Sequence, residues 1–145
     1  MNEQIILFIV MFFVGLLFNP MNILAYRFSD LYVSITLVYS ALFMASNMLW
    51  SHQIVHYLSM GHFNYWIFMI GLCLSLLLVV LLRTQLFVND ENWLKRMITH
   101  HSTAITTTKQ LLNKRRDNDN IFRLAKDIIT TQEIEILTMK NILSA

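Results

Sequence analysis

Two hydrophobic patterns divide the chain. In the first part, three stretches are apolar almost without a break: Ile5 to Tyr26, Leu31 to about Tyr57, and Tyr65 to Leu82. Each supplies the roughly 20 residues that a helix needs to cross a bilayer. The connections, Arg27 to Asp30 and Gly61 to Asn64, are too short to hold a domain. Within the first stretch, Asn19-Pro20 predicts a kink or a helix end, because proline lacks a backbone donor.

Beyond Leu82 the pattern becomes periodic. Leu94, Met97, His101, Ala104, Thr108 and Leu111 step by three and four, the spacing of one stripe on an amphipathic helix. Ile121, Ala125, Ile128, Gln132, Glu135, Met139 and Ile142 repeat it. Between them lies Asp117-Asn118-Asp119-Asn120, whose short polar side chains bond nearby backbone and favour a turn. The two helices are therefore expected to fold back on each other. Reflection about the turn sets Leu111 against Ala125, Thr108 against Ile128, Ala104 against Gln132, His101 against Glu135, and Met97 against Met139. The expected architecture is an all-α membrane protein, with three transmembrane helices in residues 1–88 and a C-terminal antiparallel helical hairpin in 89–145. One hairpin buries little core, so it must dock on the membrane segments or on a second copy as a homo-oligomer.

Composition agrees with this pattern. At 145 residues and 56% hydrophobic, with mean hydropathy +0.52, the chain is too apolar for an ordinary soluble domain, and the lipid bilayer is the implied partner. The first stretch reads as an uncleaved anchor, since it has Glu3 near its start, no cationic leader and no small-residue cleavage site. Residues 83–145 hold ten Lys or Arg against seven Asp or Glu, mixed along the helices as on a solvated face. No basic run is interleaved with aromatics, so a nucleic-acid partner is not expected. Lys114-Arg115-Arg116 falls where cations suit a helix C-terminus. Arg27, Arg83, Lys95 and Arg96 share one side of a three-span topology, and the positive-inside rule places that side, with the hairpin, in the cytoplasm.

The chemistry gathers on the hairpin. Gln132 and Glu135 occupy consecutive seam positions where Leu or Ile is usual, and leaving either unpaired would cost about 1–3 kcal/mol. Two readings account for them. In one, His101 bonds Glu135 and Ala104 makes room for Gln132, a polar cluster that only sets helix register in a non-metal interaction or scaffold module. In the other they hold a metal. Imidazole suits copper and zinc, thioether sulfur selects reduced copper and a carboxylate holds the oxidised ion, so the set favours copper over zinc. His100, one step off the seam, supplies a second imidazole.

A second pattern lies in the middle stretch, where Met44, Met48, His52, His56 and Met60 recur every fourth residue. Each such step drifts about 40° around a helix, so only neighbours share an ion. Met48, His52, His56 and Met60 form a possible second metal cluster, against flexible apolar packing for the methionines and headgroup contacts for the imidazoles. Trp50 marks the membrane interface, with His62 near the same edge. Cys73 is alone and reads as a small buried apolar side chain. Neither a nucleophile motif nor, with three scattered glycines, a phosphate loop is present. The Glu-x-x-His signature of di-iron bundles is also missing. An enzyme is therefore not expected; a haem or di-metal oxidoreductase using His52 and His56 is the catalytic alternative.

The run Trp93-Leu94-Lys95-Arg96-Met97-Ile98-Thr99-His100-His101-Ser102-Thr103-Ala104-Ile105, followed by Leu124 to Glu135 and Met139, resembles the domain of unknown function 305 family. The resemblance covers roughly the last 55 residues, and its two-part motif is specific. It implies a helical, ferritin-like bundle of four helices, a bacterial inner-membrane protein whose C-terminal domain faces the periplasm, and copper bound through Met and His. Met97, His100, His101, Gln132, Glu135 and Met139 fall on the motif positions. The implied role is metal handling or tolerance, with a metal donor or acceptor protein as a further partner. Where the family usually has proline before the His pair, this chain has Thr99, which keeps its backbone donor and predicts a straighter helix.

Overall fold

The computed structural model describes residues 2–114 and 119–145. Among them the regular structure is entirely helical: α1 (Asn2–Leu17), the single turn α2 (Pro20–Ile23), α3 (Ile35–Met60), α4 (Tyr65–Thr84), α5 (Asp90–Lys114) and α6 (Asp119–Ser144), with a 3-10 turn at Phe28–Asp30. The fold is all-α. Of the expected hairpin turn, Asp117 and Asn118 lie outside the described residues, as do Arg115 and Arg116.

Two compact units emerge, Met1–Asn19 with Ile35–Val88, and Pro20–Ser34 with Asn89–Ala145. One boundary between the units falls after Val88. Residues 20–34, which the apolar pattern assigned to the first two spans and the connection between them, join the hairpin unit. Asn19-Pro20 explains the departure, because α1 ends at Leu17 and proline, at the first position of α2, cannot extend the preceding helix. Likewise α3 starts at Ile35, so Leu31–Ser34 are not helical.

In the first unit, α3 packs against both α1 and α4. Its buried face is made of small residues, Ala41, Ala45 and Ser46, with Leu37, Leu49 and Gln53. Glycines meet it on both sides. A Cβ on Gly15 would stand 3.0 Å from Ala41 Cα, and one on Gly71 would stand 2.9 Å from Trp50 N. Small residues let helix backbones approach this closely, the packing usual between membrane helices. The Ser75 hydroxyl, 2.9 Å from both Ser46 Oγ and Asn47 Oδ1, ties α4 to α3. Opposite this interface, Ile6, Val10, Phe13 and Leu17 of α1 and Ile70, Leu77 and Val80 of α4 are exposed. Two segments, Glu3–Ile23 and Tyr65–Thr84, are long and apolar enough to cross a membrane. α3, at 26 residues, has the length, but its Ser, Asn, His and Gln residues interrupt the apolar run.

In the second unit, α5 and α6 pack over Leu94, Ile98, Ile105, Ile136 and Met139, with Tyr32, Met97 and Leu143 at the edge of this core. Asn89 caps α5, its Oδ1 accepting from the Asn92 amide at 2.9 Å. The buried stripe of α5 is rotated from the expected seam: Ile98, Thr99, Ser102 and Ile105 are buried, while Leu111 is exposed. α5 has to cover two partners, α6 and residues 20–34, and the second turns it. On α6 the seam holds at Ala125 and Met139, Ile136 replaces Glu135 as the buried residue, and Ile121 and Ile142 are exposed.

Candidate metal centre

Thr99-His100-His101-Ser102-Thr103 lies on α5, and its residues are divided between two tasks. Thr99, Ser102 and Thr103, spaced by three and four, line up on one face and hold the 20–34 segment. Thr99 Oγ1 donates to the Asp30 carbonyl at 2.8 Å, Ser102 Oγ donates to Asp30 Oδ2 at 2.7 Å, and Thr103 Oγ1 donates to the Met21 carbonyl at 3.1 Å. The Tyr26 amide donates back to Ser102 Oγ at 2.8 Å. Asp30 is 1% exposed, and its other oxygen receives Lys140 Nζ of α6 at 2.5 Å. One buried carboxylate therefore joins the segment, α5 and α6. The sequence reading singled out none of Asp30, Ser102, Thr103 and Lys140. The available signal was the Thr/Ser spacing around the His pair, which marks a second polar face beside the apolar stripe. Thr99, where the family resembled usually has proline, uses its hydroxyl in this clasp.

His101 faces the other way, toward α6. Its Nδ1 lies 2.7 Å from the Met97 carbonyl and its Nε2 lies 2.9 Å from Glu135 Oε2, the pairing that reflection about the turn predicted. A carbonyl only accepts, so Nδ1 carries a proton and the ring is fixed in orientation. Gln132 Nε2 donates to the same Glu135 oxygen at 3.3 Å. His101 is largely covered, whereas 47% of the Glu135 side chain is open to solvent. Met97 packs against the core cluster that contains Met139, so these two expected partners also share one region. His100 is exposed, its ring centroid 5.8 Å from that of His101. Partial desolvation, then the neighbouring His101 and Arg96, hold the His100 imidazole below its ordinary value.

A ring whose Nδ1–H is tied to a backbone carbonyl presents Nε2 as a ligand, the usual outer support of a metal-bound histidine. His101 and Glu135 are donor types that a copper or zinc ion accepts, whereas Gln132 turns its amide nitrogen toward Glu135, and Met97 and Met139 belong to the adjoining core cluster. Among the described residues no three His, Cys, Asp or Glu side chains already converge on one point.

Of the second expected cluster, the His52 and His56 rings are 6.0 Å apart between centroids. Met60 is 74% exposed at the end of α3. His62 takes the place next to His56, with ring centroids 6.3 Å apart and His56 Nδ1 3.2 Å from the His62 carbonyl. Cys73, expected to be buried, is exposed on α4.

The uncharacterized protein L153 of Acanthamoeba polyphaga mimivirus is 33% identical over 142 residues, a match that covers 98% of this chain and 92% of that protein. No solved structure matches. The family model described as a domain of unknown function, DUF305, matches residues 80–143, a range that takes in α5, the described turn flank and nearly all of α6. With that match over the His101–Glu135 hairpin, and a relative similar along almost its whole length, the chain belongs to the domain of unknown function 305 family.

Proposed function

We propose that this is a membrane-anchored copper-binding protein engaged in metal handling or tolerance, with the ion held on the α5–α6 hairpin. The observation that carries the reading is the meeting of His101 Nε2 and Glu135 Oε2 at 2.9 Å with the His101 ring locked by the Met97 carbonyl. His101, Glu135 and Gln132 hold the ion, Met97 and Met139 offer sulfur to its reduced form, and His100 approaches from solvent. Copper there would supply a soft, redox-active cation. The exposed apolar residues of α1 and α4 support a bilayer as the surroundings of three spanning helices, α1, α3 and α4. Leu124, Ile134 and Leu137 leave apolar surface on α6, which a second hairpin would cover in a homo-oligomeric, ferritin-like four-helix bundle. A donor or acceptor protein would exchange the ion through the open Glu135 side.

The test is elemental analysis of detergent-purified protein. Copper present in the wild type and lost in His100→Ala with His101→Ala supports the reading; protein without copper after growth in copper-supplemented medium removes it. One observation favours a second reading. Both nitrogens of His101 already meet acceptors within the hairpin, so a protonated His101 paired with Glu135 is complete without an ion and would set helix register in an interaction module. We place the hairpin on the periplasmic side of a bacterial inner membrane, as family resemblance implies and against the positive-inside count. Labelling of a cysteine introduced at exposed Lys126, in intact and in permeabilised cells, decides the side.

A further inference from the structure

We infer that the first unit binds one phospholipid whose headgroup carries a primary ammonium, with an acyl chain in a slot between α1 and α4 and the head in the polar cavity at the end of that slot. The inference rests on the bilayer reading of α1, α3 and α4 and is independent of the hairpin metal. α3 is the common partner of α1 and α4, and over its Leu49 the two leave an apolar cavity of about 320 Å³, walled by Ile5 and Phe8 on one side and by Ile70 and Leu74 on the other. That volume lies just inside the range of small-molecule sites, about 300–1,000 Å³. From Ile67 to Leu74 the wall rises about 10 Å along α4, so a hydrocarbon chain lies within the slot, whereas a helix about 10–12 Å wide can only rest across it. Gln4 and Ile67 line the slot and also a second cavity of about 200 Å³, which has Glu3, Gln53, His56, His62 and Asn64 around it. The two spaces meet at these shared residues, one apolar and one polar, as an amphiphile requires.

The level and the charge of the polar cavity choose the head. Tyr57, Tyr65 and Trp66, exposed near the end of α3 and at the start of α4, mark the bilayer interface at this end, where headgroups lie. Glu3 is the single Asp or Glu in residues 1–19 and 35–88, and the single Lys or Arg there, Arg83, stands in the last turn of α4, at the opposite end of that helix from Asn64. An anionic head therefore meets a carboxylate and no cation, whereas an ammonium finds its counter-charge. Acceptors adjoin Glu3. In neutral His56, Nδ1 lies 3.2 Å from the His62 carbonyl and carries the proton, which leaves Nε2 to accept. A primary ammonium has three N–H donors for such groups, and a trimethylated one has none. Asn64 Oδ1 caps α4 by accepting from the Ile67 amide at 3.2 Å, which leaves its amide nitrogen to donate to the lipid phosphate. Buried Gln53 donates to Gln4 Oε1 at 3.4 Å and holds that side chain at the junction of the two spaces.

The experiment is native mass spectrometry of the full-length detergent-solubilised protein, titrated separately with dioleoyl phosphatidylethanolamine, phosphatidylcholine and phosphatidylglycerol, so that only the headgroup varies. The first ethanolamine lipid should bind about tenfold more tightly than either of the others. Glu3 is exposed, and Glu3→Gln keeps its shape while removing the charge, so this variant should bring the three affinities together. Ile70→Trp fills the slot and should weaken the ethanolamine lipid by about tenfold, with helix content checked by circular dichroism. If Ile70→Trp loses helix content, Glu3→Gln alone decides. Equal affinities for the three lipids in the wild type, which is the annulus that any membrane helix carries, overturn the site. So do a preference for the anionic glycerol head, a preference that survives Glu3→Gln, and binding unmoved by a folded Ile70→Trp. Failure of the bilayer reading is seen separately, as release of the protein from membranes by alkaline carbonate.

Discussion

At the scale of residues, a proton count governs what His101 can do. Nδ1–H is committed to the Met97 carbonyl, so a second proton at Nε2 makes the ion pair with Glu135, and a metal at Nε2 must displace it. Copper uptake at this pair is therefore expected to weaken as the pH falls, as protons compete for Nε2, read by competition titrations at several pH values. Copper affinity indifferent to pH would place the ion elsewhere. Glu135→Gln keeps the shape but removes the charge, and should weaken copper by about 10- to 100-fold in a competition titration. His100 gives a signed pH prediction. Its value is lowered from 6.5 in the fold, chiefly by desolvation, so the folded chain binds fewer protons there than the unfolded chain. Its contribution to stability is present above pH 6.5 and is lost as the pH falls through the lower folded value. Imidazole proton resonances followed from pH 8 to 4.5 should show His100 less charged than a free histidine at the same pH. Asp30 carries the largest single stake. Lys140→Met leaves its buried carboxylate without a cation and should destabilise the hairpin unit by about 3 kcal/mol, measured by thermal denaturation monitored by circular dichroism.

Among the elements, small residues decide how closely α3 is embraced. Gly71→Val would drive a branched side chain into Trp50 N and Leu49 Cβ, which already stand at 2.9 and 3.0 Å from an added Cβ. Overpacking of this kind costs about 1–3 kcal/mol and should lower the melting temperature in detergent, whereas Val79→Ala on the exposed side of α4 should not. The hairpin obeys a different rule. Its helix periodicity and the His101–Glu135 pairing were legible because a stripe at three-and-four spacing, reflected about a polar turn, leaves few registers open. The rotation of α5 was not legible. Thr99 and Ser102 look like solvent-facing residues until Asp30, about 70 positions earlier in the chain, brings a buried carboxylate to meet them.

For the molecule as a whole, the apolar α1 and α4 predict that the protein stays with membranes after washing at high pH and enters solution only with detergent, as followed by immunoblot of the fractions. Release by alkaline carbonate alone would end the anchored reading. The sequence by itself determined the all-α class, an interruption at Asn19-Pro20 and the facing of His101 and Glu135, because each follows from local periodicity or from proline chemistry. Tertiary structure alone decided that residues 20–34 belong with the hairpin, that Asp30 and Lys140 clasp it, and that His62 and Glu3 share a cavity with His56. Those are contacts between segments far apart in the chain, and helix spacing can mark a polar face without recording what meets it.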